Sequence, residues 1–448
     1  MTSVSVAVIG GGAAGLLASA FAAAAGADVT LIERTADGGR KILISGGGRC
    51  NVLPSELASD RFVTDSPAHL LRGLLRSWPL HEQRAFFERD LGIPLALEKE
   101  SGKLFPHSNR AKDIRDGLVA FARARGVGMQ FNSSVTAIQP SAGGFTLQTS
   151  NGDLQAARVI LATGGLSVPA TGSDGTVLQV AAGLGHLMIP TYPALTPLLG
   201  SSASGHALLS GVSLEVRLRA KPNGRMVETS GGFLFTHRGY SGPSVLDISH
   251  VVTRESRSGS AESFAVAPGA LADRSAALVD LSASSASSAA LVGFSAPSVA
   301  IRAQWSALDA AAWESVFEAP SALISTLLGR HVPARLGERL MIEAGIPPDR
   351  RTSGLRRTER LSLIGHLTSY VLPVGGDEGY KKAEVTGGGV SLAEIDPRTM
   401  ESRRHPGLFL CGEVLDAFGP IGGYNFLWAW ATGRAAGIGA ASKGALHA

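Results

Sequence analysis

Cysteine is almost absent from this chain, and the two that are present exclude several kinds of site. Cys50 and Cys411 are the only cysteines among 448 residues, and they lie far apart in the sequence. No CxxC pair, zinc-finger spacing or framework of secretory disulfides can be assembled from two such residues. We therefore predict no metal site and a reducing, cytoplasmic environment.

Charge is also sparse. Charged residues make up 17% of the chain and the net charge is +4. No long run of like charges concentrates this excess on one segment. Such a balance permits nucleic-acid binding but does not indicate it, so no nucleic-acid partner is indicated.

The sequence contains no hydrophobic segment long enough to span a membrane. The most apolar helical segment, residues 13–25, is too short and is bounded by glycines. A strand begins directly after the N-terminus, which leaves no room for a signal peptide. We expect neither a membrane partner nor export.

Glycine, in contrast, is abundant, with 56 residues, and its first cluster belongs to a recognisable pattern. The apolar run Val4–Ile9 is typical of a buried strand and leads into the segment Gly10-x-Gly12-x-x-Gly15. An alanine-rich helix and a second apolar strand follow, and that strand ends at Glu33. Strand, glycine turn, helix, strand and acid in this order form the dinucleotide-binding fingerprint.

Each residue of the fingerprint has a physical role. Gly10 permits the tight turn, Gly12 lets the backbone approach a pyrophosphate, and Gly15 lets the helix pack on the strand. The phosphates then face free N–H groups at the helix N-terminus. Glu33 would accept hydrogen bonds from the adenosine ribose. The alternative is an ordinary βαβ turn that binds no ligand.

A second glycine-rich segment near the C-terminus helps to distinguish between cofactors. The strand Phe409–Gly412 is followed by Glu413, and further glycines then precede a helix through Phe426–Ala431. A helix N-terminus placed here would stabilise negative charge at the N1/C2=O edge of a reduced flavin. FAD is long enough to need both segments, and no second fingerprint indicates a separate NAD(P)H domain. We therefore predict FAD, with NAD(P)H or the substrate itself as its reductant.

The same two segments suggest how the chain is divided. Strands and helices alternate up to about residue 190, as in a doubly wound sheet. Prolines and strand-like alternation follow, then a Ser/Ala-rich stretch at 253–298 that we interpret as loosely specified strands and surface loops, then helices. We predict an α/β fold with a split Rossmann-like FAD-binding domain, residues 1–190 and 381–448. Residues 191–380 would form an inserted β-rich and helical substrate or cap domain.

Three longer motifs carry a family resemblance. They are GRKILISGGGRCN at 39–51, FLFTHRGYSGP at 233–243, and the segment from Ala383 to Gly433. In these the chain resembles the BaiN/YhiN-like FAD-binding flavoproteins, also described as NAD(P)/FAD-dependent or aminoacetone-oxidase-like oxidoreductases. The resemblance implies an FAD domain of the glutathione-reductase type, an inserted β-rich domain and a small helical portion. The apolar Ala417-Phe418-Gly419 departs from the family's usual acidic-glycine segment.

The predicted cofactor-binding residues come mainly from these glycine-rich segments and from the strand ends near them. They are Gly10, Gly12, Ala13, Ala14, Gly15, Glu33, Arg34, Arg40, Lys41, Gly47, Gly48, Arg49, Cys50, Asn51, Val135, Ala162, Thr163, Gly164, Gly165, Gly412, Glu413, Gly422, Gly423, Tyr424 and Asn425.

Two residues are candidates for catalysis, each with a structural alternative. Cys50 would be a redox thiol near the flavin, or else a small packing residue. His237 would donate a proton or anchor the substrate, or else be a hydrogen-bonded structural histidine. Arg49 would contact the pyrophosphate or the flavin ring, or form a structural ion pair. Trp428 and Trp430 are expected in the core.

These predictions together describe a cytoplasmic FAD-dependent oxidoreductase that acts on a small molecule. Hydride would pass at flavin N5, because the flavin carries the electron chemistry and the protein supplies position and electrostatics. One alternative is a flavin-dependent protein that modifies or binds RNA. Another is a flavin-binding protein without turnover.

Overall fold

The computed structural model describes residues 2–258, 279–280 and 299–442. Within these ranges the chain forms two compact units. The first contains residues 2–191, 279–280 and 385–442, and the second contains residues 192–258 and 299–384. The domain boundaries predicted after residues 190 and 380 lie beside these divisions. Most of the Ser/Ala-rich stretch at 253–298 lies outside the described residues.

The N-terminal part of the first unit alternates between strands and helices. Its strands are β1 Thr2–Ile9, β2 Val29–Ile32, β3 Leu53–Pro54, β4 Leu95–Glu98, β5 Lys103–Pro106, β6 Gly128–Gln130, β7 Val135–Ser141, β8 Gly144–Thr149, β9 Leu154–Leu161 and β10 Met188–Ala194. Its helices are α1 Ala13–Ala24, α2 Arg40–Ile44, α3 Ala68–Ser77, α4 Leu80–Ala85, α5 Ala111–Arg123 and α6 Thr176–Gly183.

The middle of the chain supplies short strands and a group of helices. The strands are β11 Leu198–Gly200, β12 Ser213–Ala220, β13 Val227–Phe235, β14 Gly239–Ser241, β15 Val279–Asp280, β16 Arg302–Gln304, β17 Tyr370–Val371 and β18 Val374–Asp377. The helices are α7 Pro243–Ile248, α8 His250–Ser258, α9 Ala310–Phe317, α10 Ile324–Leu328, α11 Ala334–Glu343 and α12 Arg357–Thr368. The C-terminal part contributes β19 Val385–Val390, β20 Leu408–Leu410 and α13 Tyr424–Ala441.

A mainly parallel sheet organises the first unit. β1 lies between β2 and β9 and is parallel to both, and β6 extends the sheet beyond β2. The N-terminal half of β9 pairs with antiparallel β8, and its C-terminal half pairs with parallel β20. Apolar residues along β1, β2 and β9 are fully buried, as expected for parallel strands covered on both faces. The carboxyl ends of β1, β9 and β20 therefore meet at one edge.

The two helices α1 and α13 pack against each other with their backbones in close contact. A Cβ atom built at Gly433 of α13 would lie 2.5 Å from the carbonyl oxygen of Ala14 in α1. One built at Gly437 would lie 2.3 Å from the carbonyl oxygen of Ala18. The two glycines thus let α13 approach α1 more closely than any side chain would allow.

The second unit is built on an antiparallel sheet with the strand order β17-β16-β12-β13-β14-β11-β18. Its core contains buried aromatic side chains, among them Phe233, Phe235, Trp305 and Trp313. The described structure as a whole confirms the predicted fold class, a Rossmann-type α/β arrangement accompanied by a β-rich and helical part. No helix in the described ranges has both the length and the apolar character that crossing a membrane requires.

The start of α5 differs from what the residue types alone favour. Ser108 is a favourable N-cap residue, but α5 begins at Ala111, with Arg110 at its N-cap position. Asn109 adopts a left-handed backbone with φ +54° and donates its N–H to the carbonyl oxygen of Pro106. This turn delays the start of the helix, because a left-handed residue cannot belong to its first turn.

Candidate cofactor site

The turn between β1 and α1 requires glycine at two of its positions. Gly10 has φ +102°, and a Cβ atom there would lie 2.7 Å from the carbonyl oxygen of Ala162 at the end of β9. A Cβ atom on Gly15 would lie 1.8 Å from the carbonyl oxygen of Gly10. Both glycines therefore permit close contact between α1 and the strands, as the fingerprint predicts.

Gly12 differs from these two glycines because space, rather than protein, lies beside it. A Cβ atom at Gly12 would have no neighbour within 4 Å. Gly12 is the N-cap of α1, no side chain caps this helix end, and its first turn, which includes Ala13 and Ala14, contains no acid. An open cradle at an uncapped helix N-terminus fits a pyrophosphate.

Glu33, at the end of β2, is buried and fixed in place. Its carboxylate accepts hydrogen bonds from the backbone N–H of Gly11 at 2.7 Å, and from the N–H and hydroxyl of Thr35 at 2.8 and 2.6 Å. The neighbouring Ser133 donates its backbone N–H to the backbone carbonyl oxygen of Glu33. Its buried hydroxyl has no partner among the described residues. Such an unsatisfied group is expected where a polar ligand binds.

The glycine-rich loop after α2 forms a second part of the site. Gly46, Gly47 and Gly48 all have positive φ, so their successive N–H groups lie in a conformation that favours anion binding. A Cβ atom at Gly47 would meet nothing within 4 Å. The buried side-chain oxygen of Asn51 has no hydrogen-bond partner in the described part of the chain. Open space and an unsatisfied acceptor again fit a polar cofactor.

A polar network lies at the carboxyl edge of the sheet. The Lys41 ammonium donates to Glu413 and to the hydroxyl of Ser167, each at 2.6 Å. Ser167 in turn donates to the other oxygen of Glu413 at 2.5 Å. The network joins α2, the loop after β9 and the loop after β20. It stays partly exposed, with 25% of the Lys41 side chain and 17% of the Glu413 side chain accessible.

Thr386, on β19, holds Ser167 and Glu413 of this network in place through its hydroxyl and its backbone N–H. Its hydroxyl accepts the backbone N–H groups of Leu166 at 2.7 Å and Ser167 at 3.1 Å, and its own N–H donates to Glu413 at 2.9 Å. Val168, which follows Ser167 in the chain, has φ +48°, a strained conformation for a β-branched side chain. Strain of this kind concentrates at binding and catalytic sites. The network, which we call the Lys41–Glu413 network, can hold hydroxyl or phosphate groups of a ligand.

The N-terminus of α13 is also uncapped, with Gly423 as its N-cap. Asn425 does not cap it, because its side-chain amide both donates to and accepts from the backbone of Gly419 at 2.9 Å. A Cβ atom at Gly423 would lie 2.4 Å from the carbonyl carbon of Leu53. Glycine is therefore required here for packing against β3, whatever the helix end binds.

Asp416 holds the loop that leads into α13. One carboxylate oxygen accepts the N–H groups of Asp65 and Ser66, both at 2.9 Å, and the Ser66 hydroxyl at 2.8 Å. Burial raises the pKa of Asp416, although hydrogen bonds from Ser66 and Thr64 act in the opposite direction. Sequence reasoning missed Asp416, Ser167 and Thr386 as positioning residues. No spacing in the sequence marks these three residues, because each meets its partners only in the folded chain.

The two catalytic candidates lie in different surroundings. Cys50 is fully buried, and burial raises the pKa of its thiol to about 12, so it carries no thiolate near neutral pH. These facts favour the packing alternative. His237 is exposed in the turn between β13 and β14 of the second unit. Its catalytic role stays a prediction.

Several other predicted residues make structural contacts. Arg49 forms an ion pair with Glu98 at 2.9 Å and covers the ring of Phe105, and its contact with the cofactor stays a prediction. Trp428 and Trp430 are buried and donate to backbone carbonyls of Gly412 and Val52. Arg34 pairs with Asp174, Arg40 with Asp37, and the Tyr424 hydroxyl with the backbone of Glu56.

The remaining predicted residues lie at strand ends and turns. Gly412 follows β20 against α1, where a Cβ atom would lie 3.0 Å from the Ala14 methyl group. Val135 begins β7, the segment 162–165 follows β9, and Gly422 precedes the N-cap of α13. No group of three His, Cys, Asp or Glu side chains suited to a metal occurs in the described ranges.

Comparison with known proteins identifies the family. A family profile described as "HI0933-like protein Rossmann domain" matches residues 4–439. The ribosomal RNA dihydrouridine synthase of Escherichia coli is 33% identical over 95% of this chain and 95% of its own. The enzyme of the same name in Haemophilus influenzae is 31% identical over 96% of this chain and 97% of its own. The 3-dehydro-bile acid delta(4,6)-reductase of Clostridium scindens is 30% identical over 98% of this chain and 99% of its own.

Both the profile and the three relatives cover nearly the whole chain, so the resemblance seen in the motifs is confirmed. The chain belongs to the HI0933-like family, the family of FAD-dependent oxidoreductases that its glycine-rich segments resemble.

Proposed function

We propose that the protein holds FAD non-covalently in the first unit and reduces a carbon–carbon double bond conjugated with a carbonyl group. Bound FAD would supply hydride transfer at its N5 atom. The names of the relatives support this class of substrate. Dihydrouridine arises by reduction of the uracil C5=C6 bond, which is conjugated with a carbonyl, and a delta(4,6)-reductase of a 3-oxo compound acts on the same kind of bond.

The single observation that carries the cofactor assignment is the open cradle at Gly12. The protein leaves this position empty and the end of α1 uncapped, while Gly10 and Gly15 on either side are closely packed. The helix N-terminus would bind the pyrophosphate, and Glu33, already fixed by Thr35, would accept hydrogen bonds from the ribose.

The Lys41–Glu413 network would orient the middle of the same cofactor. Glu413 is held from two sides, so its remaining lone pairs can accept hydrogen bonds from ligand hydroxyls at little cost in conformational entropy. Lys41 uses two of its three N–H groups within the network and keeps one for an anionic group. The N–H groups at the start of α13 would favour negative charge on the flavin ring.

Reduction by NAD(P)H remains part of the proposal. The sequence has one dinucleotide fingerprint, and FAD would occupy it, so NAD(P)H would bind without a Rossmann domain of its own.

A uridine within ribosomal RNA is the second candidate substrate. Two of these three relatives carry this activity in their names, which favours an RNA partner that the charge balance permits but does not indicate. The sequence places no basic stretch with interleaved aromatics that would independently indicate RNA.

The cofactor proposal is tested by the spectrum of the purified protein and by chromatography of the compound released on heating. We expect FAD at close to one per chain. Gly12→Val should fold, because its backbone is extended and no protein atom is near, but should lose flavin more than about tenfold. Gly73→Ala on α3, which also has open space around it, is the control. Full FAD occupancy in Gly12→Val would contradict the proposal.

The substrate class is tested by stopped-flow reduction with NADH and NADPH, followed by mixing with an acceptor. A cyclic enone and a ribosomal RNA transcript lacking dihydrouridine are the two acceptors. Flavin reoxidation faster than in buffer, with a saturated product, supports the enone class. Dihydrouridine in the transcript would assign the RNA. Reoxidation by oxygen alone, with neither product, would refute both.

A further inference from the structure

A groove in the first unit lies outside the predicted cofactor site. α3 and α4 meet at Pro79, and the corner between them faces the small sheet of β4 and β5. The groove, which we call the α3–α4 groove, has a volume of about 550 Å3. None of its lining residues belongs to the predicted FAD-binding set. Its size is that of a site for one small molecule.

The floor of the groove is apolar. Leu75 and Leu80 come from the helices, and Leu97 and Leu104 come from the sheet. Leu97 is 49% exposed, whereas Leu104, its partner on the neighbouring strand, is 3% exposed. An apolar surface of this kind gains free energy when a hydrocarbon group covers it.

The rim of the groove is cationic. Arg76 in the last turn of α3 and His81 and Arg84 in α4 line it, and no acidic side chain does. Arg84 is partly neutralised by Glu88 at 2.9 Å. Arg76 and His81 have no ion-pair partner among the described residues. A basic side chain at a helix C-terminus is favourable by itself, but that effect accounts for Arg76 alone and not for the apolar floor.

A cationic rim beside an apolar floor is complementary to a molecule with one anionic head and a hydrocarbon body. We propose that the α3–α4 groove binds a long-chain carboxylate, with its chain against Leu80 and Leu97 and its head at Arg76. A neutral lipid would leave Arg76 without a partner. A short carboxylate would leave the leucines exposed. A protein interface of standard size would need far more surface than this groove provides.

The proposal is tested by isothermal titration of the FAD-loaded full chain with laurate below its critical micelle concentration. We expect one laurate per chain with micromolar affinity. Dodecanol lacks the carboxylate and butyrate lacks the long hydrocarbon chain, so each should bind at least about tenfold more weakly than laurate.

Two variants with matched controls identify the groove. Arg76→Ala should weaken laurate binding about tenfold, because a charge-assisted hydrogen bond is lost, without weakening dodecanol. Arg72→Ala, an exposed arginine one turn earlier on the same helix, should change nothing. Leu97→Asp should abolish binding, whereas Leu361→Asp, which is 52% exposed on α12, should not.

Three outcomes would overturn the proposal. They are absence of laurate binding, equal laurate affinity in wild-type and Arg76→Ala protein, and concentration-dependent dimers that Leu97→Asp disperses. The last result would show that a second copy of the chain covers the groove. Circular dichroism of each variant establishes that the protein is folded, and its FAD content separates this test from that of the cofactor site.

Discussion

The two units each contain a network of polar side chains, but the two networks differ in their access to water. In the first unit, Lys41 and Glu413 stay 25% and 17% exposed at the carboxyl edge of the sheet. In the second unit, His206 is 3% exposed, Tyr240 is 0% exposed and Tyr370 is 7% exposed. His206 and its two tyrosine partners are therefore enclosed, whereas Lys41 and Glu413 are reachable by a ligand. The charged pair Arg339–Glu343 beside the histidine is 26% and 18% exposed, as accessible as the pair in the first unit.

The enclosed network satisfies its members among themselves. Nδ1 of His206 lies 2.8 Å from the hydroxyl of Tyr240, and its Nε2 lies 3.0 Å from the hydroxyl of Tyr370. Arg339 of α11 donates to Glu343 at 2.6 Å, which brings a charged pair to the edge of this cluster. A buried network that is fully satisfied specifies one packing of the core and offers nothing to a ligand.

The comparison teaches that hydrogen-bond chemistry alone does not identify a site. The exposure of Lys41 and Glu413 and the strained backbone of Val168 separate the Lys41–Glu413 network from the cluster of His206, Tyr240 and Tyr370. If this distinction is right, changes in the first network should alter cofactor binding, and changes in the second should alter stability.

The largest expected effect is on stability, from His206→Ala. This change removes the hydrogen bonds that join the hydroxyls of Tyr240 and Tyr370 to the imidazole, and it creates a cavity. We expect the free energy of unfolding to fall by about 3 kcal/mol. Chemical denaturation measures this loss, and His69→Ala, an exposed histidine on α3, is the control. The dissociation constant of FAD should not change. An increase as large as the one expected for Lys41→Met would contradict the distinction between the two networks.

The second expected effect is on cofactor affinity, from Lys41→Met. The variant keeps the length of the side chain but removes the charge that pairs with Glu413. A hydrogen bond to a charged group contributes about 1.5 kcal/mol or more, so the FAD dissociation constant should rise about tenfold. Titration of the flavin-free protein with FAD measures the dissociation constant. Lys112→Met, at an exposed position of α5, is the control. A large loss of melting temperature with unchanged affinity would assign this network to structure too.

A third, smaller effect concerns pH and the enclosed network. Burial raises the pKa of Glu343, but its neighbours His206, Arg339 and Tyr370 outweigh burial and lower that pKa to about 2. A lowered carboxyl pKa adds stability above the unfolded value of about 4.3, and the addition is lost as the pH falls toward 2. The difference in unfolding free energy between wild type and Glu343→Gln should therefore shrink between pH 5 and pH 2.

Denaturant titrations at several pH values test this expectation. A difference that stays constant over the whole range would show that the Glu343 carboxylate is not held by its neighbours.

The smallest expected effect is at Cys50. Burial raises the pKa of this thiol and that of Cys411 to about 12, so neither should react with iodoacetamide in the folded protein near pH 8. Mass spectrometry after brief labelling measures this, and denatured protein supplies the positive control. Rapid native labelling of Cys50 would restore the redox-thiol alternative.

The sequence predicted those parts of the site that depend on local geometry. β1, the turn at Gly10–Gly15 and the acid at the end of β2 follow one another along the chain, so one pattern contains all of them.

The parts that depend on distant residues could not be predicted in this way. Ser167 and Thr386 meet Glu413 only after three strands have aligned, and no spacing in the sequence encodes that meeting. Position 423 requires glycine because a side chain there would collide with the backbone of Leu53, which lies on β3. A redox titration of Gly423→Ala would therefore mix packing with electrostatics.

The glycine contact between α1 and α13 bears on how the chain folds during synthesis. β1, α1 and β2 are made well before β20 and α13. Until β20 and α13 are made, one edge of β9 has no partner along its C-terminal half, and α1 lacks the helix that covers Ala14 and Ala18. The first unit therefore cannot close its core before α13 has been synthesised, and the final assembly of the cofactor site must wait for that helix.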